Sequence, residues 1–311
     1  MRIAYIECFS GISGDMTVGA LLHAGVREDL LHRTVTALNI GAELRIRRVD
    51  RRGISATKVD VLVDGKLADR VDDSDHDHAR EREHPRAHAR SHNHFQSHVH
   101  DHHNHGIAAH RETRSLSTIK NIIGKADIRP SAQGMAIRAF ELLGEAEAGV
   151  HNVPIESIHF HEVGAVDTIV DIVCASVGCH SLGVDRFICS PLNVGGGTVK
   201  CAHGEFPVPA PATLALLKGV PIYSSGIRSE LVTPTGAALV RALDCSFSPF
   251  PSINVESIGY GAGSRELHGR PSVLRISVGE LTNRAEPPGV RAQQSDLTVS
   301  GQSLSTTLQV I

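Results

Sequence analysis

From about Gly65 to Arg114 the chain holds almost no large apolar side chain, and that gap decides how the rest can fold. Asp, Arg and Ser crowd the stretch together with twelve of the chain's twenty histidines. Such a composition cannot bury enough apolar surface to offset the entropy of ordering it, so residues 66–114 read as a disordered insertion. Any core must come from the flanks. Residues 1–65 form an N-terminal α/β part, and residues 115–280 form a main α/β part that completes the same domain. At 311 residues and 41% hydrophobic, the chain is long enough for a sizeable core. Residues 281–311 are polar and without strong pattern, and read as a tail.

Both flanks alternate strand and helix signals, which predicts a mixed α/β (α+β) fold. Residues 2–8 form a β-prone run ending at Ser10-Gly11. Helices are expected over 15–24 and 28–38, then strands over 43–49 and 54–63. After the insertion, helices are expected over 117–125 and 131–147, a strand over 157–163, a helix over 165–182 and a strand over 186–194. Short helices follow over 212–218 and 236–243. The second of these opens at Thr233-Pro234-Thr235, with a hydroxyl cap and an early proline. Residues 254–258 and 272–278 read as closing strands around a glycine-rich YGAG loop.

Several function classes are excluded. The net charge of −3 gives no basic footprint for nucleic acid. The most apolar run, 163–178, is interrupted by Asp167 and Asp171, so no membrane span is expected. Glu7 and Asp15 lie within the apolar start, unlike a signal peptide. The six cysteines show no CxxC pair, which fits free thiols in a reduced, cytoplasmic setting.

The densest cluster of reactive side chains is HFHEVGAVDTIVDI, residues 159–172. On a strand, His159 and His161 share a face because side chains alternate. On a helix beginning near Ala165, Asp167 and Asp171 sit four apart on one face. With Glu162 they offer mixed nitrogen and oxygen ligands to a borderline divalent ion such as zinc, nickel or cobalt. The plainer alternative is that the aspartates cap and solvate a helix while the histidines fill a semi-buried sheet. No histidine follows His161-Glu162 at the spacing of a zincin motif. A second cluster, Cys201 and His203, suits ligation better than nucleophilic catalysis; a structural Cys beside a loop His is the alternative. A third, CFSGISGDM, sets Ser10, Gly11, Ser13 and Gly14 at a strand–helix junction where backbone N–H groups could hold an anion, with Asp15 a candidate helix cap. Thr233 and Thr235 offer a similar nest. The run HNHFQSHVHDHHNHG supplies His92, His94, His98, His100, His102, His103 and His105, which would bind several metal ions weakly and exchange them.

Taken together, ECFSGISGDM, HFHEVGAVDTIVDI, SPLNVGGGTVKCAHGEFPVPAPAT, TPTGAALV and GYGAG resemble the LarC family of nickel-insertion proteins. The blocks occur in family order over residues 1–65 and about 115–280, around a histidine-rich insertion that members commonly carry. The resemblance implies insertion of Ni²⁺ into pyridinium-3,5-bisthiocarboxylic acid mononucleotide. The product is a nickel-pincer cofactor used by lactate racemase-type enzymes. It also implies CTP hydrolysis with Mn²⁺ or Mg²⁺. CTP binding belongs to a further C-terminal domain, and here the shared pattern stops near Glu280, so a C-terminal partner polypeptide is expected.

The residues' own chemistry suggests the roles. His159, His161, Asp171, Cys201 and His203 are candidate nickel ligands, with the histidine run auxiliary. Asp167, Glu162 and Asp15 are candidates to take the ring proton. Ser10, Gly11, Ser13, Gly14, Thr233 and Thr235 are candidates to bind the mononucleotide. A homo-oligomer is expected. Two other readings are a non-catalytic nickel storage or delivery protein working through the histidine run, and a metal-dependent hydrolase built on His159, His161 and Asp167.

Overall fold

The computed structural model describes residues 1–68, 114–160, 165–201 and 204–282, without the side chain of His159. Most of the predicted insertion and tail therefore lie outside the described residues. The fold is mixed α/β. In chain order its elements are β1 (Arg2–Glu7), α1 (Gly14–His23), α2 (Glu28–Leu38), β2 (Ala42–Arg51), β3 (Ile54–Val63) and β4 (Lys66–Leu67). Then come β5 (Arg114–Ser115), α3 (Leu116–Lys125), α4 (Pro130–His151), β6 (His159–Phe160), α5 (Val166–Ser181), β7 (Arg186–Cys189) and β8 (Leu192–Asn193). The last group is β9 (Thr198–Cys201), β10 (Gly204–Pro207), α6 (Pro211–Leu216), β11 (Ile222–Tyr223), α7 (Pro234–Ala242), β12 (Ser246–Phe247), β13 (Ile253–Ala262) and β14 (Val273–Leu281).

The principal sheet has the order β12-β7-β1-β14-β13-β3-β2, with β4 added to β3. Strands β12, β7, β1, β13 and β3 run one way and β14 and β2 the other. Each half of the chain contributes strands to this sheet, so the two flanks share one fold. Strand β1 is buried along its middle. Ala4 and Ile6 enter the main core with the helices, while Ile3 and Tyr5 form a smaller cluster with Ile188. The main core is filled by Leu21 of α1, Ile169 and Ile172 of α5, and Phe140 and Leu143 of α4, all essentially inaccessible.

Three predicted elements differ from the structure, each for a local reason. The expected strand over 157–163 begins with a single 3-10 turn, Ile155–Ser157, held by Ser157 donating from both its N–H and its hydroxyl to the Pro154 carbonyl. Among the described residues the strand pairing there is that of β6, where His159 faces Ser115, and residues 161–163 lie outside the described residues. The expected strand over 186–194 divides in two. Pro191, which has no N–H to donate, follows β7, and β8 then pairs with β11 instead of the principal sheet. The YGAG segment is no loop. Gly259 and Gly261 lie inside β13, where a Cβ would come within 1.9 Å of the Ala20 carbonyl oxygen and 1.8 Å of the Met16 carbonyl oxygen respectively. Helix α1 thus rests directly on the strand backbone, and the alternation of glycine makes that approach possible.

Candidate functional site

Strands β13 and β3 are paired only at Gly261 and Thr57. A cavity of about 300 Å³ is lined by Lys58 to Val61 of β3 and by Gly263 and Ser264 just past β13. The volume is at the lower end for a small-molecule site. The start of α1, the start of α5 and the segment leading into α7 close it, through Ser10, Ser13, Gly14 and Asp15, through Asp167, Thr168 and Asp171, and through Glu230, Leu231, Thr233 and Thr235. Motifs far apart in sequence therefore meet around one space.

The local physics explains the meeting. Helix α5 is buried nearly all round from Thr168 to Cys179, and Asp167 and Asp171 form its polar exception, one turn apart and both on the cavity. Asp171 packs against Gly14, where a Cβ would lie 2.4 Å from the carboxylate Oδ2 and 2.6 Å from the Asp171 Cβ. Only glycine admits that contact. Gly11 adopts φ +83°, and a Cβ there would meet the Leu231 carbonyl oxygen at 1.9 Å. Its loop is laced to the segment before α7, with Ile12 N–H donating to the Leu231 carbonyl at 2.9 Å and Thr233 N–H to the Ile12 carbonyl at 3.1 Å. Gly11 itself does not line the cavity; its glycine serves this close approach. Thr233 caps α7 as its sequence signal predicts, accepting from the Gly236 N–H at 3.1 Å, with Pro234 at the first helical position.

The cavity carries a buried charge network. Asp15 accepts from four donors: the Ser13 hydroxyl, the Met16 N–H at 2.8 Å, the Lys58 ammonium at 2.5 Å and the Ser264 hydroxyl at 3.1 Å. The Lys58 side chain is 4% exposed and also lies 3.5 Å from Asp60 Oδ1, while donating to the Val59 carbonyl at 3.1 Å. Asp60 in turn accepts from Arg45 at 3.0 Å and Arg47 at 3.3 Å across the β2–β3 pair. Burial alone would raise the Asp60 carboxyl, but the Arg45 hydrogen bond together with Lys58 and Arg47 holds it below its ordinary range.

Other predicted residues stand elsewhere. Cys201 ends β9, on the β9–β10 hairpin, and does not line the cavity. His161, Glu162 and His203 lie outside the described residues, as do His92, His94, His98, His100, His102, His103 and His105; of His159 only the backbone is described. Among the described residues no cluster of three His, Cys, Asp or Glu side chains is arranged to hold a metal ion by itself. All six cysteines are free. Cys8 and Cys189 are buried with their sulfurs 3.7 Å apart at the ends of neighbouring strands, and burial pushes the Cys179 thiol up to about 12, which makes Cys179 an inert core thiol. Among the described residues no helix is long and apolar enough to cross a membrane.

Lys58, Asp60, Glu230 and Arg265 line the cavity and have no counterpart in the sequence reading. For the first two a signal exists. In ISATKVDVLV a lysine and an aspartate stand two apart, hence on one face, in an otherwise β-branched and apolar strand. Glu230 and Arg265 sit in loops, where no periodicity marks them.

Fold and cavity together define an α/β protein with a half-open cavity whose lining mixes apolar side chains with several carboxylates. The model of the nickel insertion protein family matches residues 4–304, and the chain belongs to that family. The match runs past Glu280, where the sequence pattern places its end. The chain is 39% identical to the pyridinium-3,5-bisthiocarboxylic acid mononucleotide nickel insertion protein of Geobacillus kaustophilus (strain HTA426), over 91% of this chain and 61% of that protein. It is 44% identical to the protein of the same name from Desulfitobacterium hafniense (strain DSM 10664 / DCB-2), over 91% of this chain and 60% of the relative. The chain thus spans about three-fifths of the length of these curated relatives. No solved structure matches it.

Proposed function

We propose that this chain forms the nickel- and substrate-binding part of a protein that inserts Ni²⁺ into pyridinium-3,5-bisthiocarboxylic acid mononucleotide. The observation that carries the reading is convergence: Asp15 at the start of α1, Asp167 and Asp171 on α5 and Glu230 before α7 line one cavity. Carboxylates at that density suit a divalent cation delivered as a substrate. His159 and His161 belong to the motif that carries Asp167 and would add the imidazole ligands that nickel favours. Thr233, Thr235, Ser10 and Ser13 would supply hydroxyls to the ribose and phosphate.

In the reaction a ring C–H bond breaks, its electron pair forms the carbon–nickel bond, and the proton passes to a base. Asp15 is poorly suited to that step, because four donors already occupy its oxygens. It acts as a positioning residue for the start of α1, and Asp167 or Glu162 takes the proton. CTP with Mn²⁺ or Mg²⁺ would be used by the part of the longer relatives that this chain does not span. The product would pass to lactate racemase-type enzymes in the cytoplasm, in a lyase-class reaction. The histidine run would act as an auxiliary nickel collector.

Calorimetric titration with Ni²⁺ tests the assignment. Deleting residues 75–105 is expected to remove weak sites and leave one tight site. Adding Asp167→Asn and Asp171→Asn to the deletion is expected to weaken that site by about 10- to 100-fold. Loss of all tight binding on deletion alone would favour the storage reading instead.

A further inference from the structure

We propose that Arg265 receives the phosphate monoester of the mononucleotide and so fixes which way the substrate lies; this rests on the reading of the cavity as the substrate site. A mononucleotide brings a dianionic phosphate into a space lined by Asp15, Asp60, Asp167, Asp171 and Glu230, which repel it. Two cationic side chains line the same space, Lys58 and Arg265. Lys58 is committed. Its ammonium is 4% exposed and is held by Asp15 at 2.5 Å, Asp60 at 3.5 Å and the Val59 carbonyl at 3.1 Å. Drawing it onto a phosphate would strip Asp15 of its cationic partner and leave Asp60 to its arginines alone.

Of the three helix N-termini on the cavity, that of α5 carries the Asp167 carboxylate in its first turn, which opposes a phosphate there, and those of α1 and α7 are committed. Asp171 packs against Gly14 at the start of α1, Asp15 accepts from the Met16 N–H, and the Thr233 hydroxyl takes the Gly236 N–H of α7. Arg265 is different. It is exposed, and it makes no hydrogen bond or ion pair with any described residue.

The loop that carries it is nonetheless anchored on both sides. Arg265 sits in the loop between β13 and β14, where Ser264 bonds to Asp15 at 3.1 Å and Arg270 donates to the Phe9 carbonyl at 2.8 Å. The Ser10 hydroxyl ties the far end of the loop through the Pro271 carbonyl at 2.7 Å. An anchored loop with an uncommitted guanidinium at the rim of an acidic cavity is the arrangement that captures a phosphate by a two-pronged hydrogen bond. The phosphate then lies at the rim, and the ring that is to be metallated points to the carboxylates of α5.

The test compares two probes on the full chain by calorimetry: nicotinic acid mononucleotide, a pyridinium mononucleotide, and nicotinic acid riboside, which lacks the phosphate. The wild type is expected to prefer the mononucleotide. Arg265→Gln should weaken mononucleotide binding by about 10- to 100-fold and leave riboside binding unchanged, with Arg265→Lys retaining part of the preference. Thermal unfolding should be unaltered, because the side chain contacts nothing that holds the fold. An Arg265→Gln chain that keeps the full preference for phosphate overturns the assignment while the cavity reading stands. A wild type that binds both equally overturns this assignment and leaves the cavity reading standing, whereas one that binds neither overturns both.

Discussion

At the scale of single residues, the site is held together by what is missing from Gly14. The carboxylate of Asp171 occupies the space that a side chain would fill, and the contact reaches the root of Asp171 as well as its tip. Swinging the carboxylate aside therefore cannot relieve a clash; α1 and α5 would have to separate. Gly14→Ala is expected to cost about 1–3 kcal/mol of stability and to weaken tight nickel binding, read from urea midpoints and from titration. Gly134 makes a useful contrast. It lies on the exposed face of α4 with no atom within 4 Å of where its Cβ would stand, so Gly134→Ala should raise stability by about 0.5–1 kcal/mol and leave nickel binding unchanged. An Asp171 that tolerates Ala at position 14 without loss on either readout would show that the two motifs are not coupled through this contact.

At the scale of elements, the same device recurs where α1 lies on β13 and β3. Gly259 and Gly261 face the backbone of α1, and Gly19 of α1 faces the Thr57 carbonyl oxygen, which a Cβ would approach to 2.3 Å. Because these neighbours are backbone atoms, no rotamer change makes room. Gly261→Ala should destabilise by about 3 kcal/mol, shown by a lower urea midpoint, and Gly259→Ala similarly. This packing also explains what could be read in the sequence. Helix α2 and strand β3 match their predicted ends because each has a strong period and a clear stop, Asn39 in left-handed conformation for the first and Asp64 for the second. The YGAG segment reads as a loop because glycine is an ordinary turn signal, and nothing local says that a helix presses on it. Strands of two residues, such as β8, β11 and β12, carry no period at all and owe their place to their neighbours.

At the scale of the whole molecule, the candidate site was legible as separate motifs but not as one place. ECFSGISGD, VDTIVD and TPT each announce polar side chains at a helix start, and the sheet order that gathers them is not encoded in any of them. The network that joins them was half legible, since Lys58 and Asp60 stand alone among apolar neighbours while Ser264 and the arginines of β2 do not. That network links β2, β3, α1 and the β13–β14 loop through Asp60, Lys58 and Asp15, so its charge state bears on the stability of the entire fold. The direction with pH follows from the Asp60 carboxyl, which the folded chain holds below its ordinary value of 3.8. A depressed carboxyl means that the folded state releases its proton more readily than the unfolded chain. Its contribution is therefore fully present above 3.8 and is lost as pH falls through the folded value. Asp60→Asn removes the titrating group and leaves Lys58, Arg45 and Arg47 short of a counter-charge, so it should cost about 2 kcal/mol at neutral pH. The gap between wild type and Asp60→Asn, measured by urea unfolding, should stay constant from neutral pH down to about pH 5 and narrow steadily below about pH 4. A gap that narrows between pH 8 and pH 6 instead would assign the pH dependence to histidines and remove Asp60 from the role given to it.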